Sequence, residues 1–170
     1  IQASIAAAPV GMGLEFGVAS GRSLRMICNA GPKGRVAGFD TFKGLPEDWR
    51  VGFKRGAFAQ TSIPHIEGAD LQIGLFHETL EPFLASTSDQ IAFIHLDADL
   101  YSSTKYVLDT CTKRLAPGAI LLFDEFFNYP DWREHEYRAF MEWATENRVD
   151  WEFTDYCYAG EQVAVRIKSC

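Results

Sequence analysis

The sequence predicts an α/β fold: a mostly parallel sheet with helices on both faces and an antiparallel hairpin at its C-terminal end. Three observations predict it. Apolar runs alternate with amphipathic ones along the 170 residues, which is the βα pattern of a parallel sheet covered on both sides. Ile91 to Leu96 is a nearly unbroken apolar run, as a strand buried on both faces requires. The last two strand-like runs, Trp151 to Cys157 and Gln162 to Ile167, have only a turn at Ala159-Gly160 between them. With no helix to cross over, they must pair antiparallel.

The elements follow in order. Residues 1–9 read as the end of an Ala-rich helix stopped by Pro9. Gly13 to Phe16 is a first strand. Gly21 to Asn29 is a helix with Leu24, Ile27 and Cys28 on one face and Gly31-Pro32 as its stop. Arg35 to Phe39 is the second strand. Residues 43–66 carry Pro46, Gly52, Gly56 and Pro64 and read as a long irregular segment, a length that usually signals function. Leu71 to Phe76 is a weak third strand and Ile91 to Leu96 the fourth. Ser103 to Leu115 is a helix whose Thr104, Val107, Leu108, Cys111 and Leu115 keep helical spacing. Pro117-Gly118 turns the chain into a fifth strand, Ala119 to Phe123. Residues 133–147 form the last helix, with Tyr137, Phe140, Met141 and Ala144 on one side.

Size and charge narrow the function. A chain of 170 residues suits a single domain spanning 1–170. It starts at Ile1 rather than Met, which predicts a trimmed product. The net charge of −7 argues against nucleic acid and against an anionic membrane surface as partners. No run is long and apolar enough to cross a membrane. Cys28, Cys111, Cys157 and Cys170 are scattered without zinc-ligand spacing. They read as small buried hydrophobes in a reducing, cytoplasmic compartment.

Ligands in open α/β sheets sit beyond the carboxyl ends of the strands. After the first strand comes Glu15-x-Gly17-x-x-x-Gly21. Gly17 permits a sharp turn and close approach of a ligand to the backbone. Gly21 lets the next helix pack close, and Ser23 stands in its first turn, where free N–H groups favour a carboxylate. This is not the GxGxxG dinucleotide fingerprint, and by itself it is equally a bare βα turn. Asp40 narrows the choice. It ends the second strand, about 20 residues beyond the turn, where an acid can accept both ribose hydroxyls of an adenosine ligand. Nicotinamide dinucleotide and S-adenosylmethionine both fit.

Strand four ends His95-Leu96-Asp97-Ala98-Asp99, and strand five ends Phe123-Asp124-Glu125. Four carboxylates thus gather at one edge of the sheet. Asp97, Asp124 and Glu125 offer hard oxygen ligands to Mg²⁺ or Ca²⁺. Solvated strand-end acids are the alternative. His95 reads as a packed core histidine. His135 and Glu136 read as a solvated helix start or as substrate contacts. Tyr101, Phe126, Phe127, Tyr129 and Trp132 either stack on an acceptor ring or belong to the core or to a homo-oligomer interface.

Five segments carry a resemblance: LEFGVASGRS (14–23), GFDTFKGLPEDW (38–49), IGLFHETL (73–80), HLDADLYSSTK (95–105) and LAPGAILLFDE (115–125). In this order they resemble the macrocin (TylF-like) O-methyltransferase family. The resemblance implies a Rossmann-like class I methyltransferase with a seven-stranded sheet and S-adenosylmethionine as cofactor. By that pattern Glu15, Gly17, Gly21 and Ser23 hold the cofactor's amino-acid end. Asp40 holds the ribose, with Thr41 and Phe42 beside it, and Gly74 and Phe76 border the adenine. Asp97 also lies against the cofactor. Asp97, Asp124 and Glu125 occupy the divalent-metal positions, and Asp99 is the general base. Better-known members carry Asp-Asp where this chain has Asp124-Glu125. They also carry a longer N-terminal segment over the substrate, which the resemblance implies is missing or truncated here. The implied reaction is methyl transfer to a hydroxyl of a sugar or other small-molecule acceptor, assisted by Mg²⁺. A nicotinamide-dependent oxidoreductase shares the glycine turn and Asp40 but leaves the strand-end acids unexplained. An inactive adenosylmethionine-binding module leaves the same acids idle.

Overall fold

The computed structural model describes residues 1–169, and Cys170 lies outside them. Its elements are α1 (Gln2–Ala7), β1 (Met12–Phe16), α2 (Arg22–Ala30), β2 (Val36–Asp40), β3 (Asp70–Ile73), α3 (Phe76–Ala85), β4 (Ile91–Leu96), α4 (Tyr101–Cys111), β5 (Leu115–Phe123), α5 (Glu136–Glu146), β6 (Asp150–Tyr156) and β7 (Val163–Ser169). Short 3-10 turns follow α4 and precede α5. The seven strands form one sheet in the order β3-β2-β1-β4-β5-β7-β6. β1 to β5 pair with one another parallel, and β7 pairs antiparallel with both β5 and β6. The expected sheet and terminal hairpin are both present.

Strand alternation sends successive side chains to opposite faces. Leu14 and Phe16 of β1, Ile94 and Leu96 of β4, and Leu121 and Phe123 of β5 pack with Leu80 of α3, Val107 and Leu108 of α4, and Phe140 and Trp143 of α5. On the other face Phe93, Ile120 and Leu122 meet Ile5 of α1 and Leu24 and Ile27 of α2. Each face is thus covered by helices, and the central strands are buried throughout.

Three local expectations change. Phe76 does not end a strand: it opens α3, a helix the sequence reading left out. Glu78 closes a capping interaction at the start of α3 by accepting the Leu75 N–H at 3.0 Å. Pro82 lies inside that helix and masks the apolar spacing of Phe76, Leu80, Phe83 and Leu84. Pro117-Gly118 is not a turn before β5. It lies within the strand, where the β4 pairing shifts from Ile91↔Leu115 to Phe93↔Ile120, so the extra residues are absorbed in a bulge. The cysteines are not uniformly buried: Cys111 is, Cys28 is half-buried and Cys157 is exposed. Among the described residues no helix is long and apolar enough to cross a membrane.

Residues 41–69 form no helix or strand but are held compactly. Leu45 and Gly56 bond to each other's neighbourhood through Leu45 N to Ala57 O and Gly56 N to Leu45 O, both 2.9 Å, and the Gln60 N–H donates to Phe42 O. Trp49, Phe53 and Phe58 pack as an aromatic cluster. Polar contacts moor this segment to the rest, among them the Arg25 side chain of α2 donating to His65 O at 3.2 Å. Ser102 at the start of α4 donates to Glu47 at 2.7 Å, and Arg50 pairs with Glu161 of the β6–β7 hairpin at 3.1 Å. The Arg50 guanidinium is also stacked between Trp49 and Tyr129, 4.1 and 4.3 Å from their ring centres.

Candidate active site

The carboxyl ends of the parallel strands open into a cavity of about 690 Å³. Its wall runs from Asp40 and Thr41 at the end of β2, past Gly17, to Asp97, Asp99, Asp124 and Glu125. Leu75, Phe76 and Tyr106 supply apolar wall, and Leu45 and Phe58 of the 41–69 segment cover one side. Size and mixed lining suit a small-molecule ligand.

The glycine turn is built by Asp40. Its Oδ2 accepts the N–H groups of Val18 and Ala19 at 2.9 and 2.7 Å, and its Oδ1 accepts Phe42 N–H at 2.7 Å. A carboxylate offers about four lone-pair sites, so one acceptor position stays open to the cavity. Gly17 has a φ of +93°, and a Cβ there would stand 1.8 Å from the Asp97 carbonyl oxygen. The β1 turn and the β4 end thus touch backbone to backbone, which only glycine allows. Gly21 caps α2 and Ser23 lies in its first turn; neither they nor the fully buried Glu15 line the cavity. Phe42 is buried in the α1–α2 core. Gly74 immediately precedes the lining residues Leu75 and Phe76, and Phe76 packs edge-on against Phe16.

Glu15 and His95 are register partners on β1 and β4 and point to the same face. Both are fully buried, with Nδ1 of His95 2.9 Å from Oε1 of Glu15. Nε2 of His95 lies 3.6 Å from Asp124, an ion-pair distance with no hydrogen bond. Burial alone would lower the His95 pKa, but Asp124 and Glu15 outweigh it and raise it to about 10. Burial likewise works against the Asp124 carboxylate, yet His95 holds it below its ordinary value. The packed core histidine expected at 95 is present, and it is set between two acids that favour its protonated form.

That pair changes which acids converge. Asp97, Asp99 and Glu125 each place a carboxylate oxygen within 4.8 Å of the others. Asp124 lines the same cavity but is drawn to His95, so the trio that meets is not the expected Asp97, Asp124 and Glu125. Asp99 reaches the group through a left-handed turn, φ +61°. Burial raises the Asp97 pKa to about 7, with Asp124 and Glu15 adding to it. Burial, then the Asp97 charge, raises Asp99 to about 8. Glu125 rises further, from burial and the Glu136 carboxylate behind it. One Glu125 oxygen, Oε2, is buried with no hydrogen-bond partner.

These shifts set a pH dependence. The folded acids keep protons that the unfolded chain releases above about 4, and folded His95 keeps one released above about 6.5. Folding therefore takes up protons between these values and the raised ones, and stability falls as pH rises through that window. Without divalent cations, the urea unfolding free energy is expected to drop between pH 6.5 and 8.5, by about 1.4 kcal/mol per pH unit for each proton that folding takes up. A flat or rising profile would contradict the charge arrangement.

Tyr129 and Glu136, for which the sequence left alternatives open, complete the region. Tyr129 is buried, donates its hydroxyl to Glu125 O at 3.2 Å, and stacks beside His135. Phe126 is buried in the main core, and the Tyr101 hydroxyl is occupied by Glu142, so most of the candidate stacking rings serve packing. Glu136, read as a solvated helix start or as a substrate contact, is fully buried and does not line the cavity.

Residues 14–126 match the sequence profile of a family described as a methyltransferase domain. No curated protein matches the chain significantly. Among solved structures the chain is similar to CalS11, a calicheamicin methyltransferase. Identity is 28% and the TM-score 0.74, covering 92% of this chain and 72% of CalS11. The O-methyltransferase NovP shares 18% identity at a TM-score of 0.73, over 99% of this chain and 78% of NovP. An O-methyltransferase from Bacillus cereus in complex with SAH shares 17% identity at 0.60, over 98% and 76%. The last two similarities concern the fold.

Proposed function

This chain belongs to the methyltransferase-domain family and has a Rossmann-like methyltransferase sheet, and on that premise we propose that it transfers a methyl group from S-adenosylmethionine to a hydroxyl of a sugar or other small molecule. One observation carries the reading: the glycine turn, Asp40 and three converging carboxylates open into a single cavity. A second structure of CalS11 describes that protein as a TDP-rhamnose 3'-O-methyltransferase, 26% identical to this chain. It supports a sugar hydroxyl as the acceptor.

The residues fit both small partners. Asp40 has an acceptor site left for a ribose hydroxyl, Gly17 leaves backbone space beside Asp97, and Leu75 and Phe76 offer an apolar border to adenine. Asp97 and Glu125, with Asp99 alongside, offer hard oxygens to a divalent cation, and the unpartnered Oε2 of Glu125 lacks a counter-charge. When bound, S-adenosylmethionine supplies an electrophilic methyl group, and the cation supplies Lewis acidity that lowers the pKa of the acceptor hydroxyl. The chain's own part is alignment and proton removal. Asp99, a carboxylate on the cavity wall beside Asp97 and Glu125, takes the hydroxyl proton. The 41–69 segment, moored at Glu47 and Arg50, keeps water from the reacting pair.

Titration calorimetry with S-adenosylhomocysteine and with NAD separates the classes: binding of the first alone is expected, and binding of NAD alone overturns the reading. A panel of sugar, sugar-nucleotide and catechol acceptors with Mg²⁺ or EDTA then tests the reaction. Turnover that EDTA leaves unchanged removes the cation from it.

A further inference from the structure

We propose that Glu136 is a positioning residue that sets the spacing between the two carboxylate-bearing strand ends of the active site. The proposal rests on the reading of Asp97, Asp99 and Glu125 as the reacting centre. Glu136 opens α5 and is fully buried. Its Oε1 accepts the Ala98 N–H at 3.4 Å and the Thr104 hydroxyl at 3.3 Å, and its Oε2 accepts the Glu125 N–H at 3.3 Å. Ala98 stands between Asp97 and Asp99. Thr104 lies in the first turns of α4, just beyond Asp99, and Glu125 ends β5. One carboxylate therefore spans the β4 end, the α4 start and the β5 end.

Packing does not require it. The inner face of α5 already buries Ala139, Phe140, Trp143 and Ala144, which is enough to seat the helix. Among the described residues Glu136 forms no ion pair. A buried acid behind other acids is a costly way to fill space, and an apolar side chain would serve better. The cost is intelligible if the group's task is geometric. Its two oxygens accept from both strand-end loops at once, as outer-shell partners of ligating carboxylates do. Glutamine at this position retains the shape. Its amide, however, must present N–H to one of the two loops, opposing a backbone donor.

The test compares Glu136→Gln with the unaltered protein. In EDTA, exchange protection of the Ala98 or Glu125 amide is expected to fall about 10-fold, the equivalent of one hydrogen bond, with β1 and β5 unchanged. Mg²⁺ affinity by calorimetry is expected to weaken about 10- to 100-fold, while S-adenosylhomocysteine affinity holds. Glu136→Asp keeps the carboxyl group but is too short to reach both loops, so it should show the same Mg²⁺ loss and decides the matter if the Gln variant does not fold. Unchanged protection at both amides overturns the proposal. So does loss of protection throughout the sheet, which would make Glu136 a general core residue. If the unaltered protein binds S-adenosylhomocysteine but no Mg²⁺, the cation assignment falls, and the amide protection still decides the role of Glu136.

Discussion

Asp99→Asn is expected to slow methyl transfer by about 10²- to 10⁴-fold, the range that a positioned general base contributes. The substitution is nearly isosteric, and Asn tolerates the left-handed conformation that Asp99 adopts. The turn between β4 and α4 should therefore keep its shape. What is lost is the ability to accept a proton beside the acceptor hydroxyl. S-adenosylhomocysteine affinity should stay within about 2-fold, since the expected cofactor contacts lie toward Gly17 and Asp40. The unaltered enzyme should also gain rate with rising pH until the acid cluster has titrated. The apparent pKa values of that profile belong to Asp97 and Asp99 together rather than to either alone. Steady-state kinetics across pH on both proteins makes the check. Undiminished turnover by the Asn variant would sink the base assignment.

Gly17→Ala is expected to destabilise the fold by about 2–6 kcal/mol, combining backbone strain with overpacking. The obstacle is main chain. The new methyl would stand 1.8 Å from the Asp97 carbonyl, and that residue is tied back to β1 by its N–H to Phe16 O at 2.9 Å. No rotamer change relieves the contact, so the ends of β1 and β4 must separate, moving the turn and Asp97 apart. Ligand binding should fail with it. Gly31→Ala is the fitting comparison: its φ is also positive, at +68°, but a Cβ there meets nothing within 4 Å. It should show strain alone, about 1 kcal/mol. Urea midpoints and S-adenosylhomocysteine titrations on the pair distinguish them. Equal losses would show that the close approach at Gly17 contributes little.

The sheet was legible because its signals are local. Buried parallel strands are apolar runs, and two strands without a helix between them must turn back. What escaped depended on which strands are neighbours. Glu15 and His95 are 80 residues apart in sequence, and only the β1–β4 pairing puts them side by side. Read singly, one resembled a ligand contact and the other a core residue. The histidine so placed also draws Asp124 away from the acid group. Glu136 was hidden for a similar reason. A helix start rich in charge looks solvated until α5 is laid across the ends of β4 and β5. The α3 helix was missed for a purely local reason, the proline inside it.

The way residues 41–69 are fastened has a consequence for how such a protein can diverge. The catalytic edge is locked main chain against main chain at Gly17 and Asp97, where almost any replacement is penalised. The covering segment is anchored through side chains: Ser102 holds Glu47, Arg50 pairs with Glu161, Arg25 donates to the His65 carbonyl, and Phe42 and Ile66 are buried in the α1–α2 core. It shares no sheet pairing with the scaffold. Substitutions at the exposed positions between Phe42 and Ile66 leave the strands undisturbed, so new acceptors can be recruited by altering the cover while the machinery beneath stays as it is.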